Sequence, residues 1–283
     1  MPDSTPEILL GDLMFPEGPR WHEGRLWFSD MHAHEVVSVD MDGNRDTIVG
    51  VPTWPSGLGW LPDGRMLVVS MTDRKLLRLE PDGLVEAGDM SEFAAFHCND
   101  MVVDRYGRAY VGNFGADIFS GQEPQNANLV MVTPDGEASV GAGDLMFPNG
   151  TVITPDGGTL IVAETRGRRL TAFDVASDGS LSNRRVWAEL DVPPDGICLD
   201  AENCIWVAAP GSPGAFVRVA EGGEVRDRVD LEDRGGFACM LGGPERRTLF
   251  MLEAFAANPE RIRGRGNGQI RMVEVQVPGV GWP

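Results

Sequence analysis

Positive charge is scarce in this sequence. Lys and Arg together number 24 against 43 Asp and Glu, a formal net charge of −19 over 283 residues. A surface this acidic repels nucleic acid and anionic membrane, so neither is expected as a partner. A highly anionic substrate is disfavoured too, unless a local cation intervenes. Long apolar runs are also missing. None approaches the length that spans a bilayer, and the opening MPDSTPEILLGD has no basic stretch followed by an apolar one. The expectation is a cytoplasmic, unexported protein acting on a small molecule. Cysteine is sparse, and Cys98, Cys198, Cys204 and Cys239 show neither CxxC nor zinc spacing. Cys198 and Cys204 can face each other across a hairpin, but reduced and partly buried thiols are expected in this compartment. No stretch sustains a 3.6-residue period. No GxSxG elbow, phosphate-binding loop or dinucleotide fingerprint occurs, which leaves serine hydrolases and nucleotide enzymes little support.

What is abundant is glycine, 36 residues, with 20 prolines and 42% apolar residues. That composition supports a sizeable core built from short elements and many turns. One octapeptide occurs almost twice. GDLMFPEG runs from Gly11 to Gly18 and GDLMFPNG from Gly143 to Gly150, with Glu17 in one where Asn149 stands in the other. Weaker copies surround them. Short apolar runs recur (RLWFSD, RMLVVS, RAYVGN, TLIVAE, CIWVAA, TLFMLE), each preceded by a Gly-containing segment and followed by a second run that ends in DG, GG or PG. The runs are rich in β-branched and aromatic residues, as strands are, and the DG and GG endings are hairpin turns. Six copies at about 40–45 residues each predict an all-β fold, a six-bladed β-propeller occupying residues 1–283 as one domain. The residues before Met14 are expected to supply an outer strand that closes the ring. The two octapeptides, three repeats apart, then sit on opposite sides of the central channel.

The leading residue of each copy is Glu17, Ser56, Asn99, Asn149, Asp195 and, in the last, Gly235. First strands line a propeller's channel, so these side chains converge at one end of it. Two carboxylates, two amides, a hydroxyl and no cation are unfavourable together unless something positive lies between them. Oxygen donors suit a hard divalent ion: Ca²⁺ first, then Mg²⁺ or Mn²⁺, with Zn²⁺ less favoured. The Glu17/Asn149 difference then keeps one backbone on opposed blades while setting the ligand charge. Singly, each of these residues reads as a turn former; only the shared register makes them a site.

FPEGPRW, HCNDMVVDRYGRAYVGN, FPNGTVITPDGGTLIVAET and PPDGICLDAENCIWVA resemble, in order, the motifs of the SMP-30/gluconolactonase/LRE-like (regucalcin-like) family. The resemblance covers nearly the whole chain. It implies a propeller with one catalytic divalent ion, held by Glu17, Asn149 and Asp195, with Asn99 a further ligand or a substrate contact. It also implies that Asp195 is the general base or nucleophile of a hydrolase that opens lactones or, in related propellers, cleaves organophosphates. Sugar-lactone members tend to carry Arg two residues before the third-blade Asn. Here that residue is His97, shorter and often neutral.

Two connections on the metal-binding face are long, residues 113–128 and 253–268, and connections of that length are often lids or binding loops. Phe114 and Phe119 in one, Phe255 in the other, and Trp54 and Phe96 at blade entries suggest an apolar rim. His97, His32, Trp54, Phe114, Phe119 and Asn99 are therefore candidate substrate contacts. The expected substrate is a lactone less polar than a sugar lactone. Other activated esters such as phosphotriesters, or a non-catalytic calcium-binding propeller, are the alternatives. The His32–His34 pair is a minor candidate for a second metal site. The alternation Arg261, Arg263, Arg265 is expected to be a solvated loop rather than an anion site.

Overall fold

The computed structural model describes residues 5–281 apart from 212, 263 and 265 and the side chain of Pro259. Arg263 and Arg265 of the arginine alternation thus lie outside the described residues. Six four-stranded antiparallel sheets are arranged as six blades, as the repeats predict. Their innermost strands are Pro16–His22, Pro55–Trp60, Cys98–Val103, Pro148–Ile153, Ile197–Leu199 and Gly235–Gly242. In five blades, each strand pairs with the next in sequence. The sixth is completed by Glu7–Leu13, which lies antiparallel to Gly268–Glu274 and closes the ring as expected.

The burial pattern follows each strand's position. Second strands pack on both faces, so they read as unbroken apolar runs: MLVVS (66–70) and IWVAA (205–209) are buried throughout. Outer strands meet solvent, and VRDRVD (225–230) is mostly exposed. The core lies between neighbouring blades. Leu26, Phe28 and Val37 of the first blade, for example, pack with Leu249, Phe250 and Met251 of the sixth. Complete burial of such side chains contributes about 1.5–3 kcal/mol each, which favours ring closure over any open array of the same blades. The innermost strands leave no room for side chains where they approach one another. A Cβ at Gly18, which has φ +55°, would lie 2.4 Å from the Ser56 carbonyl oxygen. Glycine is required there both by the backbone and by the space.

The described helical pieces are short 3-10 turns, Met31–Ala33 and Pro259–Arg261. No helix among the described residues is long and apolar enough to cross a membrane. All four cysteines are buried free thiols. Cys198 pairs across its hairpin with Trp206, not Cys204. Its nearest thiol is Cys239 on the neighbouring blade, with 3.8 Å between sulfurs.

Candidate metal centre

A break in strand register follows the start of the innermost strand in five blades. It falls between Glu17 and Arg20, Pro55 and Leu58, Cys98 and Met101, Pro148 and Thr151, and Gly236 and Ala238. Such bulges re-aim a side chain out of the sheet. In the fifth blade Asp195 precedes the strand and is fixed by its N–H, which donates to the Ala208 carbonyl at 2.9 Å. Glu17, Ser56, Asn99, Asn149 and Asp195 all line one cavity of about 350 Å³ at the end of the channel. The sixth position needs correcting. Gly236 pairs with Glu253 just as Pro16 pairs with Asp30, so the leading residue is Phe237, two places after Gly235, and Phe237 is the residue lining the cavity. Its apolar side chain hid the register in the sequence.

The repeated octapeptides are held alike. Asp30 accepts hydrogen bonds from the backbone N–H groups of Met14 and Phe15, and Glu164 accepts one from that of Met146. Leu13 and Leu145 are fully buried below, and Phe15 and Phe147 both face the cavity. The octapeptide is thus a preformed loop that delivers one aromatic ring and one polar group to the site.

At the floor, Asn149 Nδ2 donates to Asp195 Oδ1 at 2.6 Å and to Thr165 Oγ1 at 3.2 Å. Asn99 Nδ2 donates to the Pro148 carbonyl at 3.1 Å, while its Oδ1 is buried with no hydrogen-bond partner. Glu17 Oε2 accepts from the Gly18 N–H at 3.0 Å. Burial raises the Glu17 carboxyl well above its usual range, and repulsion from Asp195 and Asp100 adds to the rise. Burial likewise pushes Asp195 up to about 8; the Asn149 hydrogen bond opposes this and Asp100 adds to it. Crowded carboxylates that resist ionisation, beside an orphaned amide oxygen, are electrostatically suited to a cation. The donor set of Glu17, Asn99, Asn149 and Asp195 is all oxygen on its ligating side and fits a hard divalent ion.

Asp100 and Arg20 were not singled out from the sequence. Asp100 occupies the place that Gly18, Gly57, Gly150 and Gly196 hold in other blades. Its Oδ1 accepts from Arg20 Nη2 at 2.9 Å, and both residues are 4% exposed. Arg20 also donates to the carbonyls of Met101 and Pro19. A carboxylate where glycine is the rule was the available signal.

The long 113–128 connection supplies Phe114, Ile118 and Phe119 to the cavity wall, and the 253–268 connection supplies Ala257. Met31, Met71, Phe15, Phe147 and Phe237 complete a largely apolar enclosure. His32, Trp54 and His97 are not among the lining residues. They stand behind the wall, with the Trp54 ring centred 4.8 Å from His32, 5.7 Å from His97 and 6.2 Å from Phe119. His97 stacks on Phe96 at 4.0 Å. Burial drives His32 down to about 4 and lowers His97 as well, so both are neutral near pH 7. Phe255 is 54% exposed and packs under Arg234 rather than on the cavity.

These features define a class: a six-bladed propeller with two carboxylates and two amides gathered at the floor of an apolar channel mouth. The chain belongs to the SMP-30/Gluconolactonase/LRE-like region family, which it matches over residues 15–255. It is 26% identical over 248 residues to a 6-deoxy-6-sulfogluconolactonase of Pseudomonas putida, covering 84% of this chain and 82% of that protein. It is 27% identical over 246 residues to the diisopropyl-fluorophosphatase of Loligo vulgaris, covering 78% and 77%. In fold it resembles the calcium-binding protein regucalcin from Agrobacterium tumefaciens, with a TM-score of 0.82 at 19% identity over 99% of this chain and 96% of that one.

Proposed function

We propose that this protein is a divalent-metal-dependent hydrolase that opens lactones less polar than sugar lactones. The observation that carries the proposal is the meeting of Glu17, Asn99, Asn149 and Asp195 at the floor of a cavity walled by phenylalanine and methionine. The lactonase among its relatives supports the reaction class. The apolar wall, and His97 held behind it against Phe96, support a substrate with few hydroxyl groups.

Glu17, Asn149 and Asp195 would hold the ion, with the unpaired Oδ1 of Asn99 a further oxygen donor; Ca²⁺ suits these oxygens best. When bound, the ion supplies Lewis-acid polarisation of the ester carbonyl and lowers the pKa of a coordinated water. The chain's residues do the rest. Asn149 fixes the orientation of the Asp195 carboxylate through its 2.6 Å hydrogen bond. Asp195 takes a proton from the water that adds to the carbonyl and returns one to the departing ring oxygen. The apolar wall excludes bulk water and holds the substrate in one orientation, which contributes to the rate by positioning.

The test is lactone hydrolysis followed by pH-stat after chelation, then after readdition of Ca²⁺, Mn²⁺, Mg²⁺ or Zn²⁺. Turnover that returns with metal and favours alkyl-substituted lactones over gluconolactone is expected. Turnover that survives complete chelation, or none with any metal, would overturn the proposal. A second reading, phosphotriester hydrolysis at the same floor, is favoured by the 27% identity to the squid fluorophosphatase and by the apolar wall. A phosphotriester turned over faster than every lactone would select it.

A further inference from the structure

The connection after Glu164 reads TRGRR and carries three arginines in four positions. Two of them are engaged. Arg169 pairs with Glu164 at 2.9 Å, and Arg168 donates to the Asp191 carbonyl. The third, Arg166, lines the cavity and is the only basic residue among the described residues that do. Its position is set by the chain. The N–H groups of Thr165 and Arg166 donate to the carbonyls of Phe147 and Met146 at 3.0 and 3.1 Å, which locks the turn against the second octapeptide. Among the described residues its guanidinium has no ion-pair or hydrogen-bond partner. Yet the chain has 43 acidic residues to offer one. Arg166 is exposed and, among the described residues, stands at the apolar cavity without a carboxylate partner.

Resting on the hydrolase reading above, we infer that Arg166 is a specificity-determining residue for a substrate that carries an oxyanion, carboxylate or sulfonate, at the end of an apolar body remote from its ester. The planar guanidinium pairs with either group through parallel N–H donors, which a neutral chain end cannot use. The net charge of −19 acts against anions in general. A single cation at the entrance therefore selects the anions that can also fill the apolar wall. The ester end reaches the floor while the charged end stays at the partly hydrated mouth, so no charge is buried without a partner.

The experiment compares a γ-alkyl butyrolactone with analogues whose chain ends in carboxylate or in sulfonate, and with the matching non-hydrolysable lactams. kcat/KM is measured for the lactones and Kd for the lactams, in wild type and in Arg166→Gln, Arg166→Glu and Arg166→Lys. The ratio of anionic to neutral ligand is expected to fall about tenfold in Arg166→Gln, further in Arg166→Glu, and by a smaller amount in Arg166→Lys, which keeps the charge but not the parallel donors. Ratios for carboxylate and sulfonate that fall unequally identify the preferred oxyanion. Lactone ratios that stay within about twofold of wild type in all variants would overturn the inference and leave the hydrolase reading standing. If no lactone is hydrolysed, the hydrolase reading fails, and the lactam Kd ratios alone decide whether Arg166 recognises the anion.

Discussion

Asn149 and Asp195 belong to neighbouring blades, yet their side chains meet at 2.6 Å, closer than any other side-chain pair at the cavity floor. The amide satisfies one oxygen of a carboxylate that burial makes costly to ionise. It does so without bringing charge of its own. An acid in its place would add a third repulsive group beside Glu17 and Asp195, which explains why the second octapeptide has Asn where the first has Glu.

Asp195→Asn separates function from stability. Loss of the proton acceptor is expected to lower kcat on the order of 10²–10⁴-fold. The same change removes a buried, uncompensated charge, so the chelated variant should melt above chelated wild type at pH 8. Turnover assays and thermal melts in chelator read the two effects. A variant that loses activity and also melts lower would show that Asp195 is chiefly structural.

The metal-free protein should lose stability as pH rises from about 6.5 to about 8. Folded Asp195, at about 8, binds a proton that the unfolded chain releases near its ordinary value, and Glu17 is shifted in the same direction. The contribution is full below the ordinary carboxylate range, falls while the unfolded chain has given up a proton that the folded chain keeps, and levels off once Asp195 ionises in place above about pH 8. Half-buried His22, His32 and His97 are shifted downward and oppose the trend only below about pH 6.5. Melting temperatures in chelator should fall across the window, and Ca²⁺ should abolish the fall. A flat or rising profile in chelator counts against the electrostatic description of the floor.

Arg20→Met should destabilise by about 3–5 kcal/mol, because it strands Asp100 as an unpaired buried charge. Arg20→Met combined with Asp100→Leu should recover much of that loss. Urea unfolding of the two variants checks it. Equal losses in the single and double variants would mean that the pair is not coupled.

Phe119→Ala should raise KM for alkyl lactones roughly tenfold while changing kcat less, since about 1.4 kcal/mol of apolar contact is a factor of ten in binding. The ring lines the cavity and packs against Phe114 at 6.0 Å, away from the polar floor. Steady-state kinetics on one alkyl lactone suffice. An unchanged KM would place the apolar chain elsewhere.

Much of the architecture was legible because each blade repeats one turn chemistry and one pattern of apolar runs. The convergence of Glu17, Ser56, Asn99, Asn149 and Asp195 followed from shared register alone. Phe237 is not legible because its blade leads with an apolar residue where the other five lead with polar ones, and its bulge leaves no mark in composition. Asp100 and Arg20 meet across 80 residues of sequence, a separation over which local pattern carries no information. His32, Trp54 and His97 were legible as residues near the mouth but not as a layer behind its wall. Which of several aromatic rings reaches a cavity depends on packing between loops that no strand period encodes. Arg166 escaped for a simpler reason: among RGRR, only pairing in three dimensions tells the engaged cations from the free one.

Glu17 precedes by about 250 residues the segment that completes its surroundings. Glu7–Leu13 has no partner until Gly268–Glu274 exists, and Asn267 Nδ2 holds the Met14 carbonyl at 2.7 Å. A chain still being synthesised therefore has these side chains but not the site they form. On the proposed metal-dependent reading, it would capture no ion in passing, and metallation would be confined to molecules whose ring has already shut.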